Sequence, residues 1–354
     1  VKILISVGTR PNFIKITRFK AVAEATGIDV EIVHTGQHYD QNMANIFFDQ
    51  FDLRPDHVIQ LKEKGPAGQT GEMVVELSRL ASASKPDVLL TPGDVNSTLA
   101  ASIAANKLGI PLAHLESGLR SNDRTMPEEI NRILVDEISD YLFVTEPSGL
   151  RNLEKSGVPS SRIHYVGNTM IDTLVAFENQ ISASIILERY KIQPKEFVLM
   201  TMHRPATVDN AQGLNLILDV IRSLAPLKVF FPLHPRTLAM FELHSLKNSL
   251  LELPNLILSG PVGYFDFQKL VAESQFILTD SGGIQEESTF KQVPCITIRP
   301  NTERPITCEI GTNQLVESEL AVILQAIKNI DTSSSKIPDL WDGFATERVL
   351  DVFK

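Results

Sequence analysis

The sequence predicts an α/β protein of two doubly wound domains, each a parallel sheet flanked by helices. Two observations carry this expectation. Short apolar runs alternate with longer amphipathic stretches, the pattern of repeated βαβ units, and the pattern starts afresh at mid-chain. Polar, glycine-containing turns follow the carboxyl ends of the apolar runs, the edge at which open parallel sheets bind ligands. A length of 354 residues accommodates two full cores.

In the first half, strands are predicted at 2–7, 30–34, 87–90, 111–114, 141–144 and 163–166, with helices at 96–107 and 128–138 between them. In the second half, strands are predicted at 197–200, 228–231, 255–258, 276–278 and 294–298, with a clear helix at 209–224. The first domain is expected over residues 1–168 and the second over 169–339. The run Ser333-Ser334-Ser335 resembles a linker, and the amphipathic segment 340–354 is expected to form a final helix that packs back on the first domain.

Composition narrows the classes of function. Apolar residues make up 43% of the chain and charged residues 21%, values of an ordinary globular protein. Lys and Arg number 33 against 43 Asp and Glu, and no basic stripe gathers, which argues against nucleic acid as a partner. A phosphorylated small ligand stays open, since it needs only a local cluster. Two cysteines, Cys295 and Cys308, with no leader and no apolar run of membrane-spanning length, lead to the expectation of a cytoplasmic protein without membrane contact.

The run Thr279-Asp280-Ser281-Gly282-Gly283-Ile284-Gln285-Glu286-Glu287 follows a strand and opens a helix. Consecutive glycines let backbone N–H groups approach an anion, and the positive helix end favours a phosphate. The carboxylates one turn later suit the hydroxyls of a sugar, so a nucleotide diphosphate fits the run as a whole. Read alone, the same run also fits an ordinary Gly-Gly turn with an acidic first helical turn. Gly8-Thr9-Arg10-Pro11, Thr35-Gly36-Gln37-His38, Pro92-Gly93-Asp94, His114-Leu115-Glu116-Ser117-Gly118, Met202-His203-Arg204 and His234-Pro235-Arg236 also stand at strand ends.

Gly8-Thr9-Arg10-Pro11 with Lys15, Gly93-Asp94, His114-Leu115-Glu116-Ser117-Gly118-Leu119-Arg120, Pro127-Glu128-Glu129-Ile130-Asn131-Arg132, Gly167-Asn168-Thr169 and the Ser281-Gly282-Gly283 run together resemble the non-hydrolysing UDP-N-acetylglucosamine 2-epimerases over nearly the whole chain. The resemblance implies two Rossmann-like domains in a glycosyltransferase-B arrangement with the active site in an interdomain cleft, and usually a homodimer. It implies reversible conversion of UDP-GlcNAc to UDP-ManNAc for surface polysaccharide precursors. By the same resemblance Arg10, His203, Ser281, Gly282 and Gly283 serve the diphosphate and Glu287 the ribose. Asp94, Glu116 and Glu128, with His203, serve proton transfer at C2 and sugar binding, and Lys15 supports Asp94 or Glu116 or tethers the loop.

The chemistry gives an independent check. The C2 hydrogen of such a sugar has no adjacent carbonyl, so its direct removal is far too slow. Transient oxidation by a nicotinamide calls for a Gly-x-Gly-x-x-Gly turn, and Gly8-Thr9-Arg10-Pro11-Asn12-Phe13 lacks it, so no cofactor is expected. Loss of UDP from C1 instead makes the C2 hydrogen acidic and leads to a glycal, which needs charge stabilisation and acid–base groups on both faces.

Several residues keep a plainer reading. Asp94 has the position of a helix N-cap, and Glu128 or Glu129 that of a charge complementing a helix start. Glu129 and Arg132 have the spacing of a surface ion pair. Arg120, Arg299 and Arg304 are candidates for contacts to phosphate or to the partner domain. His38, His114 and His234 lack a second ligand at metal spacing, so no metal is expected. After His203-Arg204 the chain reads Pro205-Ala206 where bacterial members continue with arginine and an acid, and the loop His38 to Met43 departs from the pattern of members that a second substrate molecule activates. Three alternatives remain open: a 2-epimerase of another UDP-amino sugar, such as a UDP-diacetamido-uronic acid, a hydrolysing epimerase that releases free ManNAc and UDP, and a glycosyltransferase or non-catalytic UDP-sugar binder on the same two-domain scaffold.

Overall fold

The strands of the first sheet bury both faces and therefore read as nearly continuous apolar runs. In Lys2–Val7 (β1), Ile3, Leu4, Ile5 and Val7 are all fully buried. The computed structural model describes residues 1–37 and 48–354. His38 and the rest of the loop to Met43 lie outside the described residues.

Around β1 stand Asp29–His34 (β2), His57–Val58 (β3), Val88–Pro92 (β4), Leu112–Leu115 (β5), Tyr141–Val144 (β6) and Ile163–Tyr165 (β7). Their order is β3-β2-β1-β4-β5-β6-β7, parallel throughout, with Ile3 opposite Val88 and Leu4 opposite Leu89. The chain winds outward from β1 to β3, then crosses back to β4, so the β1/β4 boundary is a topological switch point. On one face, the helix Asn96–Leu108 offers Ala100, Ala101, Ala104 and Ala105 to the same cluster as Met73, Leu77 and Ala81 of the helix Pro66–Ser84. Alanines let the two helices approach closely.

The second sheet repeats the plan. Phe197–Thr201 (β8), Lys228–Pro232 (β9), Leu256–Ser259 (β10), Phe276–Thr279 (β11), Cys295–Ile298 (β12) and Asn313–Val316 (β13) run parallel in the order β10-β9-β8-β11-β12-β13. Its switch point lies between β8 and β11, whose last residues Thr201 and Thr279 share a hydroxyl hydrogen bond of 2.7 Å.

The chain divides into one unit of Val1–Ala176 with Asp339–Lys354 and a second unit of Phe177–Pro338. The division after Ala176 differs from the expected 168/169 boundary because the helix Thr169–Ala176 is built into the first unit. Met170, Ile171 and Leu174 are buried, and Thr173 donates to the Ile14 carbonyl. Asp172 of the same helix accepts from the backbone of Ala345 at 3.1 Å and of Thr346 at 2.6 Å. Those bonds cap the final helix, Ala345–Asp351, which is shorter than the segment expected from the sequence. Ahead of it, Trp341 is buried and its indole N–H donates to the Thr145 carbonyl at 3.0 Å. Among the described residues no single helix is long and apolar enough to cross a membrane.

Candidate active site

In the first unit the switch point is built from three turns and two helices. The turn after β1 leads into the short helix Arg10–Ile14, on which Arg10 is exposed. Asn12, buried, accepts from the Thr9 hydroxyl at 2.9 Å and donates to the Pro92 carbonyl at 3.1 Å, which ties the β1 turn to the end of β4. Lys15, one turn on, is also buried and lies 2.5 Å from the Glu116 carboxylate at the end of β5. Gly93 stands between them: a Cβ there would sit 3.2 Å from Lys15 Nζ and 3.6 Å from Glu116 Oε2, and its φ of +73° favours glycine. Glu116 has a φ of +67°, a left-handed conformation that costs a non-glycine residue roughly 1–2 kcal/mol. Such strain persists where the surroundings hold it, and it concentrates at functional sites.

Removing one partner of a buried ion pair costs about 3–5 kcal/mol, because the other charge stays buried. Lys15→Met is therefore expected to lower stability in urea unfolding by about 3 kcal/mol. Adding Glu116→Gln should recover a large part of that loss, and simple addition of the two losses would contradict the coupling.

The helix Pro127–Ile138 supplies the opposing charges. Glu129, Arg132 and Asp136, at i, i+3 and i+7, share one face and are all buried. Arg132 pairs with Asp94 and, at 3.0 Å, with Glu129. Asp94 is thus not the N-cap of Asn96–Leu108: that position belongs to Val95, and the Ser97 N–H is taken by Gln37 at 2.8 Å. Nor are Glu129 and Arg132 a surface pair. Glu129 accepts from the backbone of Ser121 at 2.8 Å and Asn122 at 3.0 Å, so it anchors a loop. Its neighbour Glu128 is half-buried and makes no hydrogen bond or ion pair among the described residues. Arg120, expected near phosphate, is turned onto Asp136 at 2.6 Å. Burial opposes the Asp136 charge, yet the hydrogen bond and charge of the His114 ring and the Arg120 guanidinium hold the carboxyl below its ordinary range.

In the second unit the two switch-point loops are tied by one carboxylate. Asp280, fully buried at the end of β11, accepts from the backbone N–H of His203 at 3.0 Å and of Arg204 at 2.9 Å. The same carboxylate lies 3.0 Å from His203 Nδ1. This fixes the imidazole so that Nε2 has no partner among the described residues. Burial opposes the Asp280 charge, but the His203 ring and the two N–H groups outweigh it and hold the carboxyl below its ordinary range. The His234 ring stands 5.9 Å from that of His203, with its own basicity lowered first by burial and then by His203 and Arg236.

A carboxyl whose folded value is depressed stabilises the fold above its unfolded value, near 3.9, and loses that contribution as pH falls through the folded value. The stability gap between the natural chain and Asp280→Asn is therefore expected to be widest near neutrality. It should close below about pH 4 in denaturant titrations; a gap that stays constant into acid would contradict the pairing.

The helix Gly282–Phe290 starts at Ser281 with no side-chain cap, and Ser281, Gly282 and Gly283 are half-exposed. Its first N–H groups have no intrahelical acceptor, which makes this end an anion seat. The seat is backed by a buried charge network: Arg304 bonds Glu286 at 2.6 Å and Glu303 at 2.5 Å, and Arg299 bonds Glu303 at 2.9 Å. Glu286 is thereby drawn inward to a buried guanidinium, and Glu287 beside it is buried as well. Arg299 and Arg304 are likewise turned into the protein, although Arg304 Nη1 lies 2.8 Å from where a Cβ on Gly282 would stand.

The first unit thus gathers Lys15, Asp94 and Glu116, with Arg10 and Glu128 on the adjoining helices, and the second gathers His203 with Ser281 to Gly283 and Glu287. Sequence reasoning gave no role to Asn12, Asp136 or Asp280, and it paired Arg132 with Glu129 without seeing that the pair is buried or that Arg132 also holds Asp94. One signal was available, the three charges on a single face of the amphipathic helix Pro127–Ile138. Among the described residues no cluster of three His, Cys, Asp or Glu side chains forms a metal site.

The sequence model of a family described as UDP-N-acetylglucosamine 2-epimerase matches residues 20–354. The chain is 38% identical over 341 residues to the UDP-N-acetylglucosamine 2-epimerase of Methanocaldococcus jannaschii, covering 93% of this chain and 92% of that one. It is equally 38% identical over 338 residues to the UDP-2,3-diacetamido-2,3-dideoxy-D-glucuronate 2-epimerase of Pseudomonas aeruginosa, with 93% and 92% covered. The crystal structure of the Methanocaldococcus jannaschii UDP-GlcNAc 2-epimerase in complex with UDP-GlcNAc and UDP matches with a TM-score of 0.91 at 36% identity, over 100% of this chain and 99% of that one.

Proposed function

Because the chain belongs to the UDP-N-acetylglucosamine 2-epimerase family, we propose that it interconverts UDP-GlcNAc and UDP-ManNAc by elimination and re-addition of UDP, without net hydrolysis. The observation that supports this most is the switch point of the first sheet, where Asp94 and Glu116 are each opposed by a cation from a buried side chain, Arg132 and Lys15. Proton transfer at carbon needs carboxylates held in fixed positions, and buried ion pairs hold them.

In this reading UDP departs with the electron pair of the C1–O bond. The charge that grows on its diphosphate is opposed by the N–H groups at the start of Gly282–Phe290, by Arg10 and by His203. A carboxylate then takes the C2 proton and the C–H electrons form the C1–C2 double bond of the glycal. Return of a proton to the opposite face of C2, with re-addition of UDP at C1, gives the epimer. Asp94 and Glu116 are assigned to these transfers. Glu128, with no protein partner among the described residues, is assigned to the sugar, and Glu287 to the ribose.

A second reading, a 2-epimerase of a UDP-diacetamido-uronic acid, is favoured by the equal identity to the Pseudomonas aeruginosa enzyme. Chromatography of reaction mixtures separates these readings. Conversion of UDP-GlcNAc to a stable mixture with UDP-ManNAc supports the first, and conversion of the uronic acid alone supports the second. Accumulation of free ManNAc with UDP would overturn the non-hydrolysing assignment.

A further inference from the structure

We propose that His114 is a positioning residue for the epimerisation site, a buried strut whose two ring nitrogens hold the Glu116 turn against the Gly93-Asp94 turn. The ring is fully buried at the end of β5. Its Nε2 lies 2.7 Å from the Gly93 carbonyl and its Nδ1 2.7 Å from Asp136 Oδ1. A backbone carbonyl only accepts, and so does an ionised carboxylate, so both ring nitrogens donate. The other oxygen of Asp136 accepts from the Gly118 N–H at 3.0 Å and from Arg120 at 2.6 Å.

The strut therefore spans two turns in which three residues are left-handed: Gly93 at +73°, Glu116 at +67° and Gly118 at +79°. Gly93 immediately precedes Asp94, and Glu116 and Gly118 enclose Ser117, whose hydroxyl donates to the His114 carbonyl at 2.7 Å. No substrate need touch His114. Its effect is on where Asp94 and Glu116 stand, and a misplacement of about 1 Å at reacting groups costs on the order of 10²-fold in rate.

The inference rests on the assignment of Asp94 and Glu116 to proton transfer, and the test keeps the two apart. The natural chain, Asp94→Asn, His114→Phe and His114→Gln are assayed together for kcat, KM and UDP binding, with melting curves for each. His114→Phe removes both donors, whereas the Gln amide can reach the Gly93 carbonyl as Nε2 does. The expected result is a fall in kcat of about 10²-fold in His114→Phe, with KM and UDP affinity nearly unchanged and part of the kcat restored in His114→Gln. Full activity in His114→Phe beside an inactive Asp94→Asn would overturn this inference alone, and so would equal losses in the Phe and Gln variants. An active Asp94→Asn would overturn the parent assignment instead. Should the variants fail to fold, nitrogen-15 spectra of the His114 ring in the natural chain decide: protons on both nitrogens support the strut, and a bare nitrogen overturns it.

Discussion

Asp94→Asn and Glu116→Gln are each expected to lower kcat by about 10²–10⁴-fold while UDP binding stays near that of the natural chain. Each change removes a proton acceptor and keeps the shape of the side chain. Asparagine at 94 still accepts from Arg132, and glutamine at 116 still accepts from Lys15, so the ion-paired framework loses charge without losing its contacts. The proposed diphosphate seat at Ser281 to Gly283 belongs to the second unit and should be untouched. Isothermal titration with UDP beside a turnover assay reads the two quantities separately. Retained turnover in both variants would remove these carboxylates from the chemistry. A parallel loss of UDP affinity would mean that they act in binding.

His203→Ala is expected to lower kcat by about 10²–10³-fold, the usual cost of one donor aimed at developing charge. The ring is oriented from behind by Asp280, and its Nε2 is left for a ligand. Since the diphosphate carries charge before and after cleavage, a smaller loss of UDP affinity should accompany the loss of rate. Asp280→Asn should keep part of the rate, because an amide oxygen can still accept from Nδ1 and orient the ring. If His203→Ala loses only affinity, the residue binds the ground state and transition state alike, and another group must oppose the leaving charge.

The central strands were legible because burial on both faces demands runs such as Ile3-Leu4-Ile5 and Leu278 with its neighbours, which few other structures require. Two strands were not. His57–Val58 is only two residues long, and Asn313–Val316 opens on two polar residues, so neither contains an apolar run that can be read as a strand. The positions of the candidate residues were legible for a similar reason: Gly93-Asp94, Glu116, His203 and Ser281-Gly282 all follow strands, and strand ends can be read. What they bond to could not be. The pairing of Asp94 with Arg132, or of His114 with Asp136, joins residues brought together only by the crossover between β4, β5 and the helix that follows. Glu128 and Glu129 show the limit most clearly. Adjacent and chemically identical in the sequence, they are separated only by the helical rotation that turns Glu129 inward to Ser121 and Arg132 and leaves Glu128 half-exposed.

The most direct measurement is proton NMR of the protein with UDP-GlcNAc in heavy water, with no nicotinamide or metal added. Elimination through a glycal predicts UDP-ManNAc whose C2 carries deuterium, with deuterium also entering the C2 position of recovered UDP-GlcNAc as the reaction reverses. UDP-ManNAc that keeps its original C2 hydrogen would contradict the account, because inversion would then have proceeded without handing that proton to an exchangeable group.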